Sequence, residues 1–236
     1  MELTPGVIRL PPDLDAASVG ALRHALDDAC ASPAPVVTLV GATGDTFCLG
    51  LALGRQDAAA PAQPFADLLA AMHAAPKPLL AVVDGRAIGG GLGLACACDW
   101  LLATERASFG LPELLWGLVP AIIWPVVADR VGAPVARRWA VSAHSRSAAE
   151  GLAAGLVDEL VPPDRRDAAV LRATRALRRL DPEALCHLRV WARASRHTDL
   201  PLALRRGADL TTSLGGRPSV RERWQAFADG EVPWSA

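Results

Sequence analysis

The sequence predicts an α/β domain followed by a helical C-terminal region, on three observations. Short apolar, β-branched runs alternate with stretches of helical periodicity over residues 1–162. Two glycine-bearing segments directly follow predicted strands, and the carboxyl ends of strands are where α/β sheets bind ligands. Beyond Pro162 the composition turns to arginine-rich amphipathic helix with no further strand pattern. Residues 1–162 are therefore the predicted α/β core and residues 163–236 the helical region.

In chain order, Val7 to Leu10 reads as the first strand. Ala17 to Cys30 reads as a helix, because Val19, Leu22, Leu26 and Cys30 recur near helical spacing. Val36 to Val40 and Leu79 to Val83 are strands whose nearly unbroken apolar pattern fits burial on both faces. Between them, Pro64 to Ala74 is a helix with Phe65, Leu68, Leu69 and Met72 on one side, and residues 54–64, rich in Ala, Gln and Pro, read as a mobile surface segment. Leu92 to Cys98 is a small-residue helix, and Ala107 to Pro120 a short strand leading into a helix that starts at Pro112. Arg165 to Arg179 and Pro182 to Ser195 are the amphipathic helices of the C-terminal region.

Composition removes several function classes. With 236 residues, 51% hydrophobic, 21% charged and a formal net charge of -1, the chain has ample core for one domain and no polyelectrolyte character. Nucleic acid is not an expected partner. Pro5, Pro11 and Pro12 break the start of the chain, and no apolar run reaches the roughly 18 to 20 residues of a membrane span, so a soluble, cytoplasmic protein is expected. Cys30, Cys48, Cys96, Cys98 and Cys186 show no C-x-x-C spacing and are expected to be reduced thiols. The five histidines are scattered, and no metal site is expected. Lys77 is the only lysine; set between Pro76 and Pro78, it reads as part of a strand-initiating turn and not as a Schiff-base former.

Chemistry concentrates in three segments. Asp45 to Leu53 and Asp84 to Leu94 each follow a strand, and the second carries Gly89, Gly90 and Gly91 at the start of a helix. Bare amides there suit a phosphate or a developing oxyanion; the other reading is a glycine turn needed only for close helix packing. A dinucleotide site fits less well, because Gly89 to Gly93 lacks the G-x-G-x-x-G spacing. The third segment carries Glu113 directly after Pro112, either as an ordinary first-turn acid or as an acid/base made more basic by Leu114, Leu115, Trp116, Leu118 and Val119.

Together, in order and approximate spacing, these segments resemble the crotonase (enoyl-CoA hydratase/isomerase) family. Phe47 to Leu51 matches the family's first oxyanion motif, Gly89 to Gly91 its triple glycine, Pro112-Glu113 its Pro-Glu, and Ala148 to Asp158 its small-residue helix before Gly-Leu-Val-Asp. The resemblance implies a spiral of ββα units with a C-terminal helical region that forms a homotrimer or a hexamer. It implies an oxyanion hole from the amides of Leu51 and Gly90, and Glu113 as the catalytic acid/base. Phe109 and Trp116 are candidate pocket walls, with plain core aromatics as the other reading. Cys48 reads as a buried bystander, and Asp99 and Asp158 as cap or turn acids. No cofactor is implied, since the substrate arrives on coenzyme A or on the phosphopantetheine of an acyl carrier protein.

Two positions depart from the hydratase pattern. Gly93 stands where the first of two catalytic glutamates is usual, and Ala52 replaces an acid after the first oxyanion motif. A subgroup sharing the glycine is the dehydratases of polyketide β-branching, which convert 3-hydroxy-3-methylglutaryl on an acyl carrier protein to 3-methylglutaconyl. Glu113 to Leu118, Pro120-Ala121 and the closing Gly230 to Trp234 are similar to theirs. For a distal substrate carboxylate, Arg86 and Arg55 lie close in sequence to the oxyanion segments. The alternatives are another crotonase reaction, such as hydration or isomerisation, and a non-catalytic subunit that binds a carrier protein.

Overall fold

Leu79–Val83 (β4) is buried at every residue, and its alternation divides the side chains between two cores. Leu79, Ala81 and Val83 join the larger core, whereas Leu80 and Val82 join a smaller one on the opposite face. Each fully buried leucine or valine here contributes about 1.5–3 kcal/mol over an exposed one. The computed structural model describes residues 6–52, 61–196 and 198–229, divided into two compact units, Met1–Arg178 and Arg179–Ala236.

In the first unit, β1 (Val7–Leu10), β2 (Val37–Gly41), β4, β6 (Trp100–Thr104) and β9 (Glu159–Val161) form a parallel sheet in the order β1-β2-β4-β6-β9. Three short strands, β3 (Thr46–Cys48), β5 (Arg86–Ile88) and β7 (Ser108–Gly110), form a second sheet with β8 (Arg146–Ser147), whose pairing with β7 is antiparallel. The chain thus passes β2-β3, β4-β5 and β6-β7, each pair spanning both sheets before a helical segment. This is the expected spiral of ββα units. The helices α1 (Ala16–Ala31), α2 (Ala62–His73), α3 (Gly90–Cys96), α4 (Trp124–Val131), α5 (Ala133–Ser142) and α6 (Ala148–Ala153) follow in turn. Asp15 and Ser147 start α1 and α6 with capping boxes.

The expected boundary at residue 162 falls too early. Helix α7 (Arg166–Leu177) lays Ala169, Ala173 and Leu177 on Val36, Leu80, Val82, Leu102 and Val161, so it covers the second face of the large sheet and belongs to the first unit. The second unit consists of α8 (Pro182–Ser195), α9 (Leu200–Gly215) and α10 (Pro218–Ala228). Asp181 accepts the Ala184 amide at 2.8 Å to start α8 and pairs with Arg217 and Arg223, which holds its carboxyl below the ordinary value. No helix among the described residues is long and apolar enough to cross a membrane.

Helix α2 begins two residues earlier than its periodicity predicts. The rest of the expected mobile segment, residues 54–60, lies outside the described residues, as does Gly230 to Trp234.

Candidate active site

Residues 49–52 run beside residues 12–14, and that pairing consumes their backbone groups. The Leu49 amide donates to Pro12 (2.7 Å), the Leu14 amide to Gly50 (2.8 Å) and the Ala52 amide to Leu14 (2.9 Å), while the Gly50 amide donates to the Cys48 sulfur at 3.4 Å. Leu51 is the exception. It is the middle residue of a parallel bridge with Leu14, which engages its neighbours and leaves its own amide without an acceptor among the described residues. Gly50 is required beside it. Its φ is +85°, and a Cβ there would lie 2.5 Å from the Gly90 nitrogen.

The turn from β5 into α3 presents the second such amide. Gly89 takes φ +53° and donates its own N–H to Gly110 at 2.9 Å. Gly90 follows as the first residue of α3, and its amide donates to no acceptor among the described residues. With seven residues, α3 has little macrodipole, so any stabilisation of negative charge rests on the individual amides and not on the helix end.

Glu113 reaches the same place from the other direction. Pro112-Glu113 opens a single 3₁₀ turn, Glu113–Trp116, in place of the expected α-helix, and Gly117 at φ +72° ends it. The glutamate side chain lies against the glycine turn, with Oε1 3.0 Å from where a Cβ on Gly89 would be. Oε2 is buried and has no hydrogen-bond partner. Burial pushes the carboxyl above its ordinary value, opposed in part by the residue's own backbone amide. Of the expected apolar neighbours, Trp116, Leu118 and Val119 line the cavity with the glutamate although they are partly exposed, whereas Leu114 and Leu115 do not line it. Phe65 and Ile123, both buried, line the cavity with the glutamate.

Leu51, Gly90, Glu113 and Trp116 all line this one cavity of about 330 Å³. Trp116, 66% exposed, is part of its rim and not a core aromatic. Phe109 is corrected. Fully buried on β7, its ring lies under α6, 3.0 Å from where a Cβ on Gly151 would be, and it does not line the cavity. Arg86 also lies elsewhere, donating to the Thr46 hydroxyl at 3.4 Å, and Arg55 is outside the described residues. Cys48 is buried with its thiol pushed up to about 12, so it remains a neutral bystander. Asp99 and Asp158 accept the amides of Leu79 and Leu101, both at 2.7 Å, and so fix the starts of β4 and β6.

Phe65 and Ile123 are among the cavity residues that the sequence does not mark as site residues. Phe65 was legible only as a helix core position, yet its ring lies 3.3 Å from where a Cβ on Gly90 would be. Ile123 carries no sequence signal at all. Its Cγ2 occupies the space above Gly93, 2.3 Å from where a Cβ would be, so the position at which hydratases of the resembled family carry a glutamate is filled by a buried aliphatic side chain.

Known proteins place this geometry. The family described as Enoyl-CoA hydratase/isomerase matches residues 14–235. The 2,3-dehydroadipyl-CoA hydratase of Escherichia coli (strain K12) is 33% identical over 167 residues, 70% of this chain and 66% of that protein. A probable enoyl-CoA hydratase, EchA17, of Mycobacterium avium is 42% identical over 113 residues, 47% of this chain and 44% of that protein. The matched stretches thus span less than two thirds of these relatives' lengths. Among solved structures, Pseudomonas aeruginosa AtuE superposes with a TM-score of 0.80 at 31% identity, covering 96% of this chain and 95% of that one. A Legionella pneumophila crotonase-type structure gives 0.81 at 26% identity, with coverages of 98% and 96%. On the family match and the fold together, the chain belongs to the enoyl-CoA hydratase/isomerase family.

Proposed function

We propose that the chain is an acyl-thioester lyase in which Glu113 moves the protons and the amides of Leu51 and Gly90 hold the thioester oxygen. The observation that carries this reading is the buried, unpartnered Oε2 of Glu113, in one apolar cavity with two amides that have no acceptor among the described residues. A buried orphan acceptor costs about 1–3 kcal/mol, and its retention fits a group kept free for substrate. Two donors on the thioester oxygen stabilise the charge that develops as the C2 proton leaves, each worth on the order of 3 kcal/mol. Glu113, made more basic by burial, takes that proton. The same carboxyl then protonates the C3 hydroxyl, the C3–O bond breaks, the C2–C3 double bond forms, and water departs. The carboxylate is regenerated.

The finer reading is dehydration of 3-hydroxy-3-methylglutaryl-acyl carrier protein to its 3-methylglutaconyl form in polyketide β-branching. Gly93, with Ile123 above it, supports it by leaving one carboxylate where the two-glutamate pattern has two, as does the run from Glu113 to Ala121. The relatives named for hydrating acyl-CoA favour the second reading, hydration of another enoyl thioester through the same site. The acyl group comes on coenzyme A or phosphopantetheine, and no resident cofactor takes part. The five cysteines, taken as reduced thiols, fit a reducing, cytoplasmic compartment.

The test offers the purified protein 3-hydroxy-3-methylglutaryl thioesters of both carriers and a short enoyl-CoA. Glu113→Gln is expected to lower turnover about 10²- to 10⁴-fold with ligand binding within a few-fold. Wild-type inactivity on every thioester favours the non-catalytic subunit, and a variant keeping more than about a tenth of turnover removes Glu113 as the proton carrier.

We also propose assembly into a trimer or a dimer of trimers. Leu188, Val190, Leu200 and Leu204 are exposed on the second unit's helices, and exposed apolar side chains of this kind are covered when copies assemble. Light scattering that gives a monomer at micromolar concentration overturns this.

A further inference from the structure

The geometry points to Ile123 as the residue that determines which acyl groups the cavity accepts, acting through its interlock with Gly93. The inference rests on the acyl-thioester reading above and deepens it. Ile123 is 3% exposed and lines the cavity beside Glu113. It stands at the start of α4, where its carbonyl accepts the Val127 amide at 3.0 Å and the next residue, Trp124, donates to Pro120 at 2.8 Å. Its backbone is held on both sides.

Gly93 lies inside α3, where glycine is less stable than alanine by about 1 kcal/mol. No turn or left-handed backbone explains it. Close approach does, because a Cβ there would sit 2.3 Å from Ile123 Cγ2 and 2.9 Å from its Cβ. α3 cannot yield, since a Cβ on Gly91 would already be 1.9 Å from the Cys48 carbonyl oxygen. A side chain at position 93 can therefore be relieved only by driving Ile123 into the open cavity. The two positions control cavity volume in opposite directions: alanine at 93 narrows it, and alanine at 123 widens it.

A stability role alone makes a different prediction from a specificity role, and the readout that separates them is a ratio. Butyryl-CoA and octanoyl-CoA are saturated, carry no leaving group at C3, and report binding without turnover. Dissociation constants for both are measured on wild type, Ile123→Ala, Gly93→Ala and the double variant. Ile123→Ala is expected to shift relative affinity toward the octanoyl thioester about tenfold or more, the range one or two methylenes are worth in an apolar pocket. Gly93→Ala is expected to shift it toward the butyryl thioester, and the double variant to return most of the way to wild type. If Gly93→Ala does not fold, Ile123→Val, which removes only the terminal methyl, supplies the second point, with a smaller shift of the same sign as Ile123→Ala. Folded Ile123→Ala protein with the wild-type ratio overturns the inference while leaving the acyl-thioester reading intact. Wild-type protein that binds neither thioester overturns that reading, and this inference with it.

Discussion

Two short helical segments border the cavity, and they are built in opposite ways. Every residue of α3, Gly90–Cys96, is buried, whereas none of the 3₁₀ turn Glu113–Trp116 is. The donor side is fixed by packing, because Gly50, Gly91 and Gly93 bring backbone against backbone or side chain with no room for a methyl group, and Gly90 leaves only a tight fit, 3.1 Å from Gly50 Cα. The acid side is fixed by its ends, with Pro112 before it, Gly117 in the left-handed region after it, and the Leu118 amide returned to the Glu113 carbonyl at 3.0 Å. On the proposed reading, a hole made of two amides tolerates little displacement and takes its rigidity from the core, while a carboxylate that carries protons needs a rim that admits substrate. The difference in burial follows the difference in task on that reading.

Stability measurements can break this comparison, and the largest effect belongs to α3. Gly91→Ala is expected to destabilise by about 3 kcal/mol or more, since its Cβ would meet the Cys48 carbonyl oxygen at 1.9 Å and backbone cannot step aside as a side chain tip can. Leu115→Ser, at a residue of the turn that is 71% exposed, is expected to stay within about 0.5 kcal/mol. Urea denaturation of the two variants decides the matter. Comparable losses would show that the turn is as tightly built as the helix.

The same contrast explains what the sequence discloses. β4 is legible because a strand buried on both faces is apolar throughout, and α1 because its period survives four turns. β3 and β5 are three residues each, too short for any period to show, while β7, equally short, is legible as the strand expected within Ala107 to Pro120; the three carry the chain into both glycine segments and the acid. The roles expected of Glu113, Leu51 and Gly90 rest on motif order, and all three line one cavity. Phe109 misled because nearness in sequence to Glu113 is not nearness in space: on β7 its ring turns to α6. Ile123 was silent because its meaning lies in a contact with Gly93, 30 positions earlier, and no local pattern encodes a long-range contact. α7 belongs to the first unit and not to the expected C-terminal region; amphipathic periodicity reports that a face is buried without saying against what.

The smallest expected effect sharpens the acid side, where the turn is exposed but one atom is not. Glu113 Oε2 is buried without a partner, and burial raises the carboxyl above its ordinary value of 4.5. A raised carboxyl means that the folded protein holds the proton more tightly than the unfolded chain does. The folded state is thus not penalised below the ordinary glutamate range, where both states are protonated, and loses stability as pH rises through the folded value. Glu113→Gln cannot ionise and escapes that loss, although its amide remains imperfectly bonded. The variant is therefore expected to match wild type near pH 4 and to be the more stable of the two near pH 8, a gap that opens with rising pH. Urea midpoints across that range, at constant ionic strength, measure it. A gap that does not change with pH, or a variant less stable than wild type at pH near 8, would mean that the carboxylate finds a partner in solution. Glu113 would then be an ordinary turn acid, and the rim would differ from α3 in exposure alone.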